Sequence, residues 1–421
     1  MRILWLVNNP LPQASERLGL PVHNTGGWLS AQLERLDTEK NSISVCCLCG
    51  ELKEAARIEA GGVSFIVLPR YEDSALKGVF SRLLREEDPD IVHIHGTEFY
   101  HSYAMLLAAE GRRTIVSIQG LVSVYAKHYF ADLPASFQKP SLPKRLLSRL
   151  LGVRLVKDGR ADYERRGQTE RGALLDASNI IGRTEWDRAC TERINPKARY
   201  FSCGEILRAP FYEEPKWSYE ACEKHSVFIS QGYYPIKGFH KFLLILPELA
   251  AKYPDLKVYV TGREPRRSAT PLRERLNSYL SEYPGCLKAL MKGHEDRVVY
   301  LGELDACQVR QRLLSANVFV LCSSIENSPN SLGEAMLTGT PIVASNVGGV
   351  CDMLRDREDG YLYPFNEEYM LLHYIDRVFQ AKDGLRLISQ NSVRHAMKNH
   401  DPERITARLM EIYNTVLGEE S

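Results

Sequence analysis

The sequence predicts an α/β protein with two doubly wound parallel-sheet domains in tandem. Short β-branched runs alternate with helix-period stretches. The alternation stops near the middle of the chain and then restarts. The break between the two stretches is rich in proline and charge. At roughly 100–200 residues per domain, the length suggests two or three domains, and each half can bury a core of its own.

In the first half, Ile3–Val7, Ile43–Leu48, Val63–Leu68, Asp90–Ile94 and Thr114–Ile118 read as strands. Helical patterns lie between them at Trp28–Leu36, Ala75–Glu87 and Ser102–Glu110. This order argues for a parallel sheet covered on both faces. In the second half the strand candidates are Val227–Ser230, Lys257–Thr261, Val298–Leu301, Val318–Leu321 and Pro341–Ala344. Helical patterns follow at Phe239–Ala251, Pro271–Leu290, Cys307–Ser315 and Ser331–Leu337. The boundary falls within Arg208–Lys224, where Ala209-Pro210, Glu213-Glu214-Pro215 and a charged run mark a linker. The expected domains are therefore 1–208, completed by a closing helix over 402–421, and 225–400. Open parallel sheets bind ligands outside the carboxyl ends of their strands, so the two sheets are expected to face one another across a cleft.

Composition narrows the function. Apolar residues make up 44% and charged residues 25%, ordinary values for a globular chain. A formal net charge of +1 gives no reason to expect nucleic acid as a partner. The apolar start breaks at Asn8-Asn9-Pro10, which leaves no signal-peptide core. No run approaches the ~20 apolar residues of a membrane span, and a cytoplasmic location is expected. Cys46, Cys47 and Cys49 lack further ligands nearby and read as a buried strand, Ile43 to Cys49, in a reducing compartment.

One stretch departs from the alternation. Residues 139–171 carry ten lysines and arginines, from Lys139 to Arg171, with Leu142, Leu146, Leu147, Leu150 and Leu151 at helical spacing. Such a segment can lie on an anionic membrane surface. It can equally be the solvated basic face of a surface helix.

Several catalytic signatures are absent, among them G-x-x-x-x-G-K-[ST], G-x-S-x-G, H-E-x-x-H and a G-x-G-x-x-G after the first strand. ATPase, serine hydrolase, zincin and dinucleotide oxidoreductase readings lose their main support. His93 and His95 share one face of a strand, and Asp88-Pro-Asp90 has D-x-D spacing. Neither pair has a third ligand in view, so no metal is expected.

What remains lies in the second half. Glu326 and Glu334 are followed by Ala335-Met336, Gly339-Thr340-Pro341 and Gly348-Gly349. This series resembles the retaining family 4 glycosyltransferases of GT-B fold. Tyr234-Pro-Ile-Lys-Gly-Phe-His240 is similar to the family's lysine-glycine segment, Gly26-Gly27 to its N-terminal glycine pair, and Pro89–Gly96 to its fourth-strand signature.

The resemblance implies a sugar transferase using a UDP-sugar or GDP-sugar and no metal cofactor. The acceptor would be a glycan or a lipid-linked glycan of the surface-polysaccharide type. It implies that Lys237 stabilises the leaving diphosphate and that Glu326 faces the transferred sugar. Glu334 would accept from the ribose hydroxyls. Gly26, Gly27, Asn330, Ser331 and Arg263 would contact the donor, and His95 and Gln119 would lie on the acceptor side. Taken alone, Ser331-x-x-Glu334 is also a capping box, Lys237 a surface lysine and Gly26-Gly27 a turn.

Three positions depart from the family pattern. Gly232 stands where an arginine is usual, with Arg263 as the candidate replacement. Gln119 stands where a histidine is frequent, and the turn between the glutamates is Asn327-Ser-Pro-Asn330. These leave open two other readings, a non-catalytic binding relative and a sugar-nucleotide epimerase.

Overall fold

The structure is a computed structural model that describes residues 1–22, 26–262, 264 and 282–418. The chain divides into two compact units. The first comprises Met1–Ser123, Arg165–Ala209 and Asn399–Ser421, and the second comprises Val124–Glu164 and Pro210–Lys398.

The first unit holds strands β1 (Arg2–Leu6), β2 (Ser42–Cys49), β3 (Ala56–Ala60), β4 (Val63–Pro69), β5 (Ile91–His95), β6 (Thr114–Ser117), β7 (Asn179–Gly182) and β8 (Arg199–Ser202). They form one sheet in the order β3-β4-β2-β1-β5-β6-β7-β8. The pairing is parallel except at β3, which returns antiparallel onto β4. Gly61 and Gly62 make that turn at φ 59° and 76°, a conformation that costs glycine little. The second unit holds β9 (Glu223–Ile229), β10 (Lys257–Val260), β11 (Val298–Tyr300), β12 (Ala316–Leu321), β13 (Ile342–Ser345) and β14 (Tyr361–Tyr363). All its pairings are parallel, in the order β11-β10-β9-β12-β13-β14.

Central strands are apolar on both faces, as helices on either side of a parallel sheet require. Every residue of β5, β12 and β13 is buried. Cys46, Cys47 and Cys49 are buried on β2, and none of the three forms a disulfide. Strands β3, β7, β8 and β14, of three to five residues, were not among the sequence-derived candidates. Of the helical pattern 271–290, residues 271–281 lie outside the described residues, and a helix occupies Glu282–Met291.

The closing helix Pro402–Gly418 packs on the first unit. Ile405, Leu409, Ile412, Tyr413 and Val416 enter its core at helical spacing. The Trp5 indole donates to Tyr413 Oη at 2.9 Å. Residues 124–164, which precede the linker in sequence, group with the second unit. There His240 Nε2 meets the Ala131 carbonyl at 2.7 Å, Ser324 Oγ donates to His128 O at 3.0 Å, and Lys144 pairs with Glu282 at 3.1 Å.

In each sheet the connections reverse direction at one place, between β1 and β5 and between β9 and β12. The crevice beyond the strand ends at such a switch point is where doubly wound sheets bind ligands.

Candidate functional site

The loops that leave β9 and β12 at the switch point of the second sheet carry Lys237 and Glu326. Chain leaving β9 makes a short 3-10 turn, Pro235–Lys237, and ends on Gly238 at φ 68°. A side chain at 238 would overlap the Cys322 carbonyl, so glycine is required both by φ and by this approach. The loop after β12 is stitched to that turn, since Ser324 N–H donates to Ile236 O at 2.7 Å. Lys237 Nζ thereby lies 2.5 Å from Glu326 Oε1, and Ser323 Oγ donates to the same oxygen at 2.6 Å.

The loop after β13 closes on this pair. Gly349 N–H donates to the Glu326 carbonyl at 3.1 Å, and Ser345 Oγ donates to Ser323 O at 2.6 Å. Gly348 has φ 53°, and a side chain there would overlap the Glu326 carbonyl oxygen. Three loops from adjacent strands thus converge on Glu326, at its carboxylate and its backbone carbonyl.

Burial pulls the Lys237 ammonium down, but Glu326 and Tyr234 outweigh it and the group ends above its ordinary value. It therefore stays charged while keeping 18% of its side chain exposed. A fixed cation beside a carboxylate at a strand end can bind a diphosphate and direct a polar ligand.

Asn330 and Ser331 open the helix Asn330–Thr338, whose N-cap is Pro329. Their amides fall among the first-turn donors that lack intrahelical acceptors, and the helix dipole favours an anion there. Ser331 stands inside the helix, not at its cap, and no side-chain cap bond forms. The capping-box reading of Ser331 and Glu334 therefore fails. Glu334 is buried one turn on, at 4% exposure. Arg263 lies outside the described residues. Gly232, where the family pattern has an arginine, has no room for a side chain. A Cβ there would fall 2.6 Å from Val260 Cγ2 and 3.1 Å from Phe239 Cδ1.

The first unit places its candidates differently. Gly26, at φ 84°, caps the helix Gly27–Leu33, and a Cβ on Gly27 would come 3.0 Å from Arg208 Cδ. His93 is held by Tyr413 Oη and Ser117 Oγ, each at 2.6 Å. The His95 ring lies 3.8 Å from that of His93, tilted against it, and 4.5 Å edge-on from Trp5, and among the described residues neither of its ring nitrogens has a hydrogen-bond partner. Burial pulls His93 down to about 3. Burial, with His93 beside it, holds His95 well below its ordinary value. Both imidazoles are neutral near pH 7 and line a cavity of about 20 Å³ with Trp28, Gln32, Arg183 and Glu205, room for one water. Gln119 follows β6, and its carbonyl accepts from Arg183 Nη2 at 2.6 Å.

Asp88 and Asp90 serve the turn before β5. Arg2 reaches them at 2.9 and 3.1 Å, and Arg112 reaches Asp88 at 3.2 Å. No cluster of three metal-ligating side chains occurs among the described residues. Sequence reasoning missed the buried Arg183–Glu205 pair and Glu170, which accepts from the Val122 and Ser123 amides at 2.8 and 2.9 Å. No motif carries them; Arg183 follows β7, itself too short to recognise.

Residues 223–380 match the profile of the family described as Glycosyl transferases group 1. The second unit belongs to that family. A phosphatidyl-myo-inositol mannosyltransferase of Mycolicibacterium smegmatis is 26% identical to this chain over 195 residues, 46% of this chain and 45% of that one. The chain spans about half the length of the curated relatives it matches. Among solved structures, sucrose-phosphate synthase from Thermosynechococcus elongatus superposes with a TM-score of 0.67 at 18% identity, covering 99% of both chains. Anabaena Alr3699/HepE in complex with UDP and glucose gives 0.65 at 14% identity, covering 99% of this chain and 100% of that one. These likenesses establish the GT-B fold for this chain.

Proposed function

We propose that the protein is a glycosyltransferase moving a hexosyl unit from a nucleotide diphosphate sugar to a glycan or lipid-linked glycan, with retention of configuration. The Lys237–Glu326 pair at the β9/β12 switch point carries this reading. The first-turn amides of Asn330 and Ser331 lie on the segment that also bears Glu326. UDP-sugars are the preferred donors, since HepE is described in complex with UDP and glucose; GDP-sugars are the alternative.

In the proposed step, the bond between the anomeric carbon and the diphosphate oxygen breaks as the acceptor oxygen bonds to that carbon from the same face. The acceptor proton passes to the departing phosphate oxygen. Lys237 and the helix amides stabilise the diphosphate as charge builds on it. Glu326 faces the sugar as its ring gains positive character, and Glu334 accepts from the ribose. No enzymic base is needed, which suits Gln119 at a position where it cannot act as one. No resident cofactor or metal takes part.

Residues 1–208 with 402–421 form the acceptor side, including His95 and Gln119, and 225–400 the donor side. A role in surface-polysaccharide synthesis and contact with the inner face of the plasma membrane belong to the same proposal. The basic segment supports the contact. The helix Leu142–Leu150 exposes Leu142, Leu146 and Leu150 at 65%, 58% and 82%, with Arg145 and Arg149 exposed between them. No helix among the described residues is long and apolar enough to cross a membrane.

The test is calorimetric titration of nucleotide sugars into wild type and Lys237→Ala, with nucleoside diphosphate release followed in the same samples. Binding of one donor with slow release, both lost in the variant, supports transfer. Donor binding without release, even with candidate acceptors present, would favour the non-catalytic reading that the missing arginine suggests.

A further inference from the structure

The second unit contains another cleft, at the opposite edge of its sheet from Lys237 and Glu326. It has a volume of about 650 Å³ and lies between chain 216–220, which leads into β9, and the helix Arg386–Asn399. Trp217 fixes its position. The Trp217 backbone N–H donates to Thr338 O at 2.8 Å, and its indole donates at 2.8 Å to the carbonyl of Ala316, the first residue of β12. Ser389 Oγ donates to Gly339 O at 2.6 Å. The cleft therefore abuts the C-terminal end of the helix Asn330–Thr338 and the amino ends of the strands. The proposed donor site lies at the other end of that helix, at the carboxyl ends of the strands.

Its chemistry is specific. Arg386, Gln390 and Arg394 recur at four-residue spacing, so they share one face of their helix. Among the described residues, Arg386 and Gln390 form no hydrogen bond or ion pair. Glu220, on the facing wall, is near enough to Arg386 to feel its charge. Arg394 donates to Asn391 Oδ1 at 2.5 Å. Lys216 is committed elsewhere, its ammonium donating to the Phe211, Tyr212 and Glu213 carbonyls at 3.1, 3.0 and 2.9 Å. The facing wall carries Trp217 and Tyr219.

Planar guanidinium groups suit a phosphate, which they can grip with two parallel bonds. An amide and two carboxylates, Gln390, Glu220 and Asp383, suit the hydroxyls of a sugar. The volume lies within the ~300–1,000 Å³ usual for small-molecule sites.

We propose that this cleft binds a phosphorylated sugar, as a site separate from the one that takes the nucleotide. The test titrates glucose 1-phosphate and glucose 6-phosphate into the full chain with and without saturating UDP, using inorganic phosphate as the control. The expected result is sugar-phosphate binding that survives UDP and exceeds that of phosphate. Replacing Arg386 and Arg394 together by alanine should weaken it by about tenfold or more, with UDP affinity unchanged. Arg386 and Arg394 are exposed, and unchanged UDP affinity in the double variant verifies its fold. Three outcomes would each overturn the proposal: no sugar phosphate binds at millimolar concentration, UDP displaces it, or the double variant binds as wild type does. Failure of UDP to bind wild type would instead count against the transferase reading and leave the sugar-phosphate arm readable.

Discussion

Beyond the β9/β12 switch point the chain sets an ammonium and a carboxylate 2.5 Å apart. On β5, at the β1/β5 switch point, it sets two imidazoles whose centroids lie 3.8 Å apart, both neutral. The same topology thus supports a charged site and an uncharged polar one. The charged pair retains some solvent exposure and is held by glycines that let carbonyls approach. The histidine pair is sealed in the core, and its polarity costs folding free energy that hydrogen bonds to Tyr413 and Ser117 offset for only one ring. A diphosphate calls for the first arrangement. A hydroxyl, or a single water, is matched by the second.

The sharpest way to break this comparison is to remove charge from the second site. Lys237→Ala is expected to lower donor turnover by about 10²–10³, equivalent to roughly 3–4 kcal/mol of lost transition-state stabilisation, read as the rate of nucleoside diphosphate release. An unchanged rate would mean that the charge there is structural.

The glycines come next. Gly348→Ala forces a side chain against the Glu326 carbonyl at positive φ and should cost about 1–3 kcal/mol, visible as a lower Tm and weaker donor binding. Gly26→Ala also sits at positive φ, yet its nearest neighbour would be Leu29 Cδ1 at 3.8 Å. Its cost should stay near 1 kcal/mol. Equal losses in the two variants would deny that close backbone approach distinguishes the sites.

Acid should act on the first unit through His93. Its folded pKa of about 3 lies below the ordinary 6.5, so the unfolded chain takes up a proton that the folded chain refuses. Stability is full above pH 6.5 and falls as pH drops toward 3, by about 1.4 kcal/mol per pH unit for this residue. Urea midpoints measured from pH 7 to pH 5 should show the decline, and His93→Gln should reduce its slope without abolishing it, because burial depresses His95 and His101 in the same direction.

The smallest effect on folding concerns the exposed leucines. Leu146→Ser with Leu150→Ser should change stability by no more than about 0.5 kcal/mol while abolishing sedimentation with anionic vesicles. Sedimentation equal to wild type would remove the membrane from the proposal.

Much of this was legible beforehand, and the reason is periodicity. Central strands such as β2 and β12 carry mostly apolar runs of the kind a covered parallel sheet requires. The loops after β9 and β13 were legible because glycine marks their close approaches, at 238 and 348, and the loop after β12 because it carries Glu326. Strands β7 and β8, of four residues each, leave too short a signal, and with them went Arg183, whose partner Glu205 is distant in sequence. The grouping of residues 124–164 with the second unit rests on single contacts such as His240 with the Ala131 carbonyl. No pattern in either segment announces them. Ser331 reads equally well as a helix cap until Pro329 is seen to hold that place.

Gly232 has a bearing on what variants of the chain can become. Val260 and Phe239 occupy the space into which a side chain at 232 would grow. With those neighbours in place, a single change to arginine would be punished by collision before it could be rewarded by binding. Admitting that side chain requires Val260 or Phe239 to give way first. Variants of this chain are therefore expected to refine other diphosphate contacts before gaining one at 232. A directed-evolution experiment seeking that arginine should randomise positions 232, 239 and 260 together.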